Sequence, residues 1–104
     1  MKKLSLNELG AGGPTFLGDR VKGKKVTRGG LHIFKPGEVA HAGQRHVHDL
    51  EEVFIVLQGK AKLPINGDVY ELKTGDVAII QPGEDHHMTG DEKEPPAVVW
   101  LHVE

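Results

Sequence analysis

The 104-residue chain contains no cysteine. That single absence removes disulfide frameworks, thiolate zinc sites, iron–sulfur clusters and a cysteine nucleophile, and it agrees with a reducing, cytoplasmic setting. Aromatic residues are scarce, with one Trp, one Tyr and three Phe. Long apolar runs are lacking as well. The longest, Val53-Phe54-Ile55-Val56-Leu57, is far short of the roughly 20 residues of a membrane helix, so no membrane partner is expected. After Met1-Lys2-Lys3 the polar and acidic residues of Leu4-Ser5-Leu6-Asn7-Glu8 arrive before a secretory signal can develop, and no export is expected. The length leaves room for one compact domain.

No excess of one charge marks the chain, which is −2 overall, but the charge is unevenly placed. Residues 1–30 hold seven basic and two acidic side chains, whereas 31–104 hold six and thirteen. Lys22, Lys24, Lys25 and Arg28 have the density of a nucleic-acid arm. They lie among glycines with only Phe16 near enough to stack a base, and a solvated surface is the better reading. No nucleic-acid partner is expected.

What the chain does have is punctuation: fourteen Gly and six Pro. Pro36-Gly37, Gly59, Asn66-Gly67, Gly75-Asp76, Pro82-Gly83, Gly90-Asp91 and Pro95-Pro96 bound segments of strand length. Between them lie Leu31–Lys35, Val53–Gln58, Lys60–Ile65, Val69–Leu72, Val77–Ile80 and Ala97–Val103, several rich in β-branched residues and too short for ordinary helices. Asn66-Gly67 predicts a type I′ hairpin, because both central residues of that turn need positive φ; strands 60–65 and 68–72 should pair. Only Ser5-Leu6-Asn7-Glu8, a capping box closed by Gly10, reads as a helical turn. Many short strands without helices to cover them predict an all-β fold, a sandwich or jelly-roll barrel that buries its own faces and edges. The expected division is a 1–30 N-terminal segment, a short helical turn and a basic loop or strand covering the barrel or a dimer interface, followed by the barrel over 31–104.

Seven histidines is a high count, and they are grouped: His46 with His48, and His86 with His87, while His32, His41 and His102 stand apart. Residues two apart on a strand share a face, so His46 and His48 present their imidazoles together. Glu52 shares their parity if the strand resumes after Leu50; Glu51 does not. Two imidazoles and a carboxylate form a common donor set for a borderline divalent metal, and a third His from another strand completes it while leaving positions for water or substrate. His86 is the natural fourth ligand, with His87 its rival if a bulge in 82–85 exchanges them. The plainer alternative is a surface His-x-His beside an ordinary acidic residue. Against it, Glu52 runs straight into a strand apolar enough to be buried.

The stretch from His46 to Gly59 resembles the first motif of the cupin family: His-x-His, three or four residues, Glu, six residues, Gly. The stretch from Gly75 to His86 resembles the second: Gly, five residues, Pro-x-Gly, two residues, His, with Gly75, Gly83 and His86 in register. Fifteen residues separate Gly59 from Gly75, and the likeness covers roughly 31–103. Departures fall at strand entries and turns, where Ala40, Gln81 and Gly90 replace the family's Gly, Pro and Asn. The resemblance implies a small single-domain cupin, a double-stranded β-helix barrel. It implies one divalent transition metal per chain, Mn or Fe first and Ni, Co, Zn or Cu as alternatives, held by His46, His48, Glu52 and His86. It also implies a dioxygenase- or isomerase-type enzyme acting on a small organic molecule. The alternatives are a metal-dependent binding or sensing module without turnover and, least favoured, a metal-free structural barrel.

If His46, His48 and Glu52 face inward, parity turns Gln44, Phe54 and Val56 toward the cavity and Val53, Ile55 and Leu57 outward. Tyr70, Gln81, His87, Met88, Trp100 and His102 are further candidate lining residues. For the last strand, an outward Trp100/His102 face opposite a β-branched core is the preferred orientation, while His32 and His41 are taken as surface or edge residues. The outward apolar face of 53–57 must be covered, by the segment around Phe16-Leu17 or by a second subunit; small cupins commonly pair, so a homodimer is expected.

Overall fold

The structure is a computed structural model, and it describes residues 1–5, 20–40 and 49–104. Every named element among them is a strand: β1 (Lys2–Ser5), β2 (Val26–Ile33), β3 (Glu51–Gln58), β4 (Lys60–Ile65), β5 (Asp68–Lys73), β6 (Asp76–Ile80), β7 (Thr89–Gly90) and β8 (Ala97–Val103). They form an antiparallel five-stranded sheet, β1-β6-β3-β8-β2, and a three-stranded sheet, β5-β4-β7. This is the expected all-β jelly-roll architecture. Among the described residues no helix is long and apolar enough to cross a membrane.

The Asn66-Gly67 hairpin forms as the sequence dictates. Asn66 sits at φ 50° and Gly67 at φ 89°, and β4 pairs with β5 from Lys60 opposite Lys73 to Ile65 opposite Asp68. The N-terminal end starts as a strand: Ser5 closes β1 opposite Asp76 on the edge of β6, and the rest of the expected helical turn lies outside the described residues. Leu6, Asn7 and Glu8 lie outside the described residues, as do Phe16 and Leu17. On the other side of residue 30, β2 begins at Val26 and continues without a break, so the described ends of the N-terminal segment are edge strands of the large sheet.

Alternation along the strands builds two apolar layers. Val56, Ala78, Ile80 and Val98 of the large sheet meet Ala61, Leu63, Ile65 and Leu72 of the small one, with Phe34 and Met88, in the interior. On the outer face Val53, Val77, Ile79 and Val103 form a second buried cluster, against which Leu4, Val21, Ile55 and Leu101 pack. Strands β3 and β6 are therefore buried on both faces, as their unbroken apolar runs require. Glu51 has the outward parity that the sequence assigns it. Its buried carboxylate accepts the backbone N–H groups of Lys22 and Gly23, at 2.6 and 2.9 Å, and ties that basic segment to the barrel.

Candidate functional site

The site begins with the parity of β3. Glu52 and Phe54 point inward, and so does His102 of β8, which stands directly opposite Glu52 in the ladder. Both the Glu52 and the His86 side chains are almost fully buried, and a buried carboxylate is costly unless partnered. Glu52 meets this with two imidazoles. Its Oε1 lies 2.8 Å from His86 Nε2 and its Oε2 lies 2.9 Å from His102 Nε2.

His86 reaches this position through the turn before it. Pro82 and Gly83 occupy the central positions of a turn in which Gly83 takes φ 84°, a left-handed value that glycine adopts without strain. The Glu84 N–H donates to the Gln81 carbonyl at 3.2 Å, and the Glu84 carboxylate accepts the Gln81 N–H at 2.7 Å. Displacement of the family's Pro by one place thus leaves a well-bonded turn. The Glu84 carbonyl then accepts from His86 Nδ1 at 2.9 Å, which fixes the ring.

A carbonyl oxygen can only accept, so Nδ1 carries a hydrogen, and one further hydrogen is shared between Nε2 and the Glu52 carboxylate. Burial opposes the imidazolium, but the Glu52 carboxylate and the Glu84 carbonyl outweigh it and hold the His86 pKa above its ordinary value.

Around this cluster a cavity of about 420 Å³ opens, a size suited to a small molecule. Phe34, Phe54, Met88, Val98 and Trp100 supply apolar wall, and Arg28, His32 and Glu38 supply polar groups. The Phe54 ring lies edge-on to His86 at 5.9 Å between centroids. His32 is exposed on the edge strand β2, as expected, and pairs with Glu38 at 2.8 Å.

Of the residues singled out from sequence, the structure brings together Glu52, Phe54, His86, Met88, Trp100 and His102. His87 does not join them: it is turned to Asp85, 3.2 Å away. Val56 is buried in the interior core and Tyr70 packs against that core; neither they nor Gln81 are among the described residues that line the cavity. His41, Gln44, His46 and His48 lie outside the described residues. Among the described residues alone, no group of three or more His, Cys, Asp or Glu side chains forms a metal-holding cluster.

The preferred outward orientation of Trp100 and His102 is corrected. Val99, Leu101 and Val103 take the outer face and Trp100 and His102 take the cavity. The β-branched face of β8 packs on the outer apolar layer, which buries Val53, Val77, Ile79 and Val103, so β-branching did not mark the inside. Arg28, Phe34 and Glu38 were not anticipated. Arg28 reads as part of a basic surface run, and only the pairing of β2 with β8 brings it to the cavity.

The profile of the cupin domain family matches residues 30–104, and the chain belongs to that family. Solved structures agree in fold. A cupin protein from Bacteroides fragilis superposes with a TM-score of 0.69 at 22% identity, over 78% of this chain and 68% of that one. A cupin 2 conserved barrel domain protein from Salinispora arenicola gives 0.65 at 24% identity, over 73% and 61%. A protein with a double-stranded β-helix domain from Klebsiella pneumoniae gives 0.66 at 28% identity, over 78% and 70%. No curated protein matches the chain significantly.

Proposed function

We propose that the protein is a metal-binding small cupin whose cavity receives a small organic molecule, with Glu52 and His86, together with His46 and His48, as the ligands of one divalent ion. The observation that carries this reading is the buried Glu52 carboxylate held against His86 Nε2. The donor set fits a cation. Nδ1 of His86 is occupied by the Glu84 carbonyl, so Nε2 is the nitrogen left to ligate, and a divalent ion would take the place of its proton beside the carboxylate. Imidazole and carboxylate donors suit Mn or Fe, with Ni, Co, Zn and Cu as alternatives.

A bound ion would supply Lewis-acid polarisation of a substrate oxygen and a fixed point that orients the substrate. The chain supplies the rest: Glu84 orients His86, His102 holds the second oxygen of Glu52, and Phe54, Met88 and Trp100 exclude water from the ligand. A second reading, ligand binding without turnover, is favoured by the state of the acid–base groups. Glu38 is engaged by His32, and Glu52 by His86 and His102.

Metal content by mass spectrometry on the untagged protein tests the first statement. About one Mn or Fe per chain, lost in a His46→Ala, His48→Ala double variant, is the expected result; metal-free protein indifferent to added ions would refute it. Oxygen uptake and keto–enol exchange assays on loaded protein then separate enzyme from binding module.

A further inference from the structure

We propose that the ligand is a small organic acid with one carboxylate and an apolar body, and that Arg28 receives the carboxylate. This rests on the reading of the cavity as a ligand site, though not on the presence of a metal. The placement of Arg28 is built by the sheet. Val26 stands opposite Val103 on the outer face, whereas Arg28, two residues on, stands opposite His102 on the cavity face. A bulge at Thr27 makes the difference, since without it both side chains would share one face.

Trp100 holds the guanidinium in place. The Arg28 Cζ lies over the indole, 5.7 Å from its centre, a cation–π arrangement that places the guanidinium beside the cavity, and a guanidinium's fork of N–H donors matches a carboxylate. Gly30 makes room for the pair. A Cβ at Gly30 would come within 3.0 Å of three atoms of the indole, so the ring lies against bare backbone.

Charge then selects the ligand. Arg28 is the one Lys or Arg among the described lining residues, and among the described residues no ion pair engages it. A ligand that covered Arg28 without an anionic group would strip water from a guanidinium and return nothing. One guanidinium beside two carboxylates matches a monoanion better than a phosphate dianion. The phenyl, thioether and indole walls around it suit an apolar body such as an aromatic ring.

Trp100 is the only tryptophan of the chain and lines the cavity, so its emission reports binding directly. Protein as purified and Mn-loaded protein are each titrated with benzoate, 4-methylpentanoate, benzamide and inorganic phosphate, with calorimetry as a second readout. The expected result is saturable binding of at least one acid, with benzoate at least tenfold tighter than benzamide and phosphate weaker still. Arg28→Met should abolish the preference for acid over amide, and Arg28→Lys should retain part of it, with thermal melts confirming that both variants fold. Equal binding of benzoate and benzamide, tighter binding of phosphate, a preference that survives in Arg28→Met, or no binding of any acid would each overturn the proposal. The arms separate the two readings: acid selectivity without metal uptake leaves this inference standing and refutes the metal site, and metal uptake without acid binding does the reverse.

Discussion

Glu52 and His102 face each other across β3 and β8, paired in register and joined by a 2.9 Å contact between Glu52 Oε2 and His102 Nε2. The other oxygen of the same carboxylate meets His86, which arrives from the turn after β6. One inward acid thus ties two distant segments together at the floor of the cavity.

Removing that charge should separate metal binding from folding. Glu52→Gln keeps the shape and the carbonyl oxygen but loses the anion, and metal affinity measured by competition with a chelator is expected to fall about tenfold or more. Glu52→Ala leaves two buried imidazoles without their partner, and its cost in a denaturant melt of metal-free protein is expected to be on the order of 3 kcal/mol. Unchanged metal affinity in Glu52→Gln would take Glu52 out of the ligand set.

Acid should compete with the metal. Imidazole must be neutral to ligate, and each proton taken up by a histidine ligand displaces the ion. Dialysis across a pH series followed by metal analysis should show release as the pH falls through about 6, near the histidine range. Retention of metal well below that range would speak against histidine ligands.

A titration at the rim has the opposite sense to that of His86. The Lys35 N–H and the His32 imidazole hold the Glu38 carboxyl below its ordinary value. A group with a depressed native pKa contributes stability above its unfolded pKa and loses it as pH falls through the native one. The difference in melting temperature between the native protein and Glu38→Gln should therefore shrink as the pH falls below about 5 and vanish in acid. A carboxyl resonance of Glu38 that titrates at or above the ordinary glutamate value would contradict this.

The packing of Gly30 on Trp100 should be sensitive to one methyl group. Gly30→Ala places a Cβ about 3.0 Å from the indole, and the ring must move. A loss of about 1–3 kcal/mol and a shifted Trp100 emission are expected; an unchanged spectrum and melt would mean that the ring does not lie on β2.

The outer face leads to a proposal about assembly. Leu31, Ile33 and Leu57 have outward parity and are about half or more exposed, at 54%, 67% and 50%. We propose that a second copy covers them as a homodimer. Light scattering on the native chain should give twice the monomer mass, and Leu31→Glu with Ile33→Lys should return the monomer mass with the fold retained. A native monomer at tens of micromolar would refute the dimer.

Much of the fold was legible because its signals are local. Asn66-Gly67 fixes a hairpin through the φ values that its two residues tolerate, and the Pro and Gly positions set strand lengths before any strand has a partner. Glu52 and His86 were legible from parity and glycine spacing, both short-range properties. The face of β8 was not. Val99, Leu101 and Val103 look like a core, and Val103 is buried with Val99 and Leu101 half-buried, but on the outer layer, because the large sheet carries an apolar cluster on each of its faces.

By itself the sequence determined the strand rhythm, the hairpin and the inward parity of Glu52 relative to Glu51, and its glycine spacing favoured His86 over His87. Each follows from backbone sterics or from the two-residue period of a strand, which act within a few residues. Only the tertiary structure decided that His102 shares Glu52, that Ser5 extends a strand, and that Arg28 leaves a basic run to sit over Trp100. Those outcomes depend on which strand pairs with which and in what register, and a one-residue bulge in β2 was enough to exchange one face for the other.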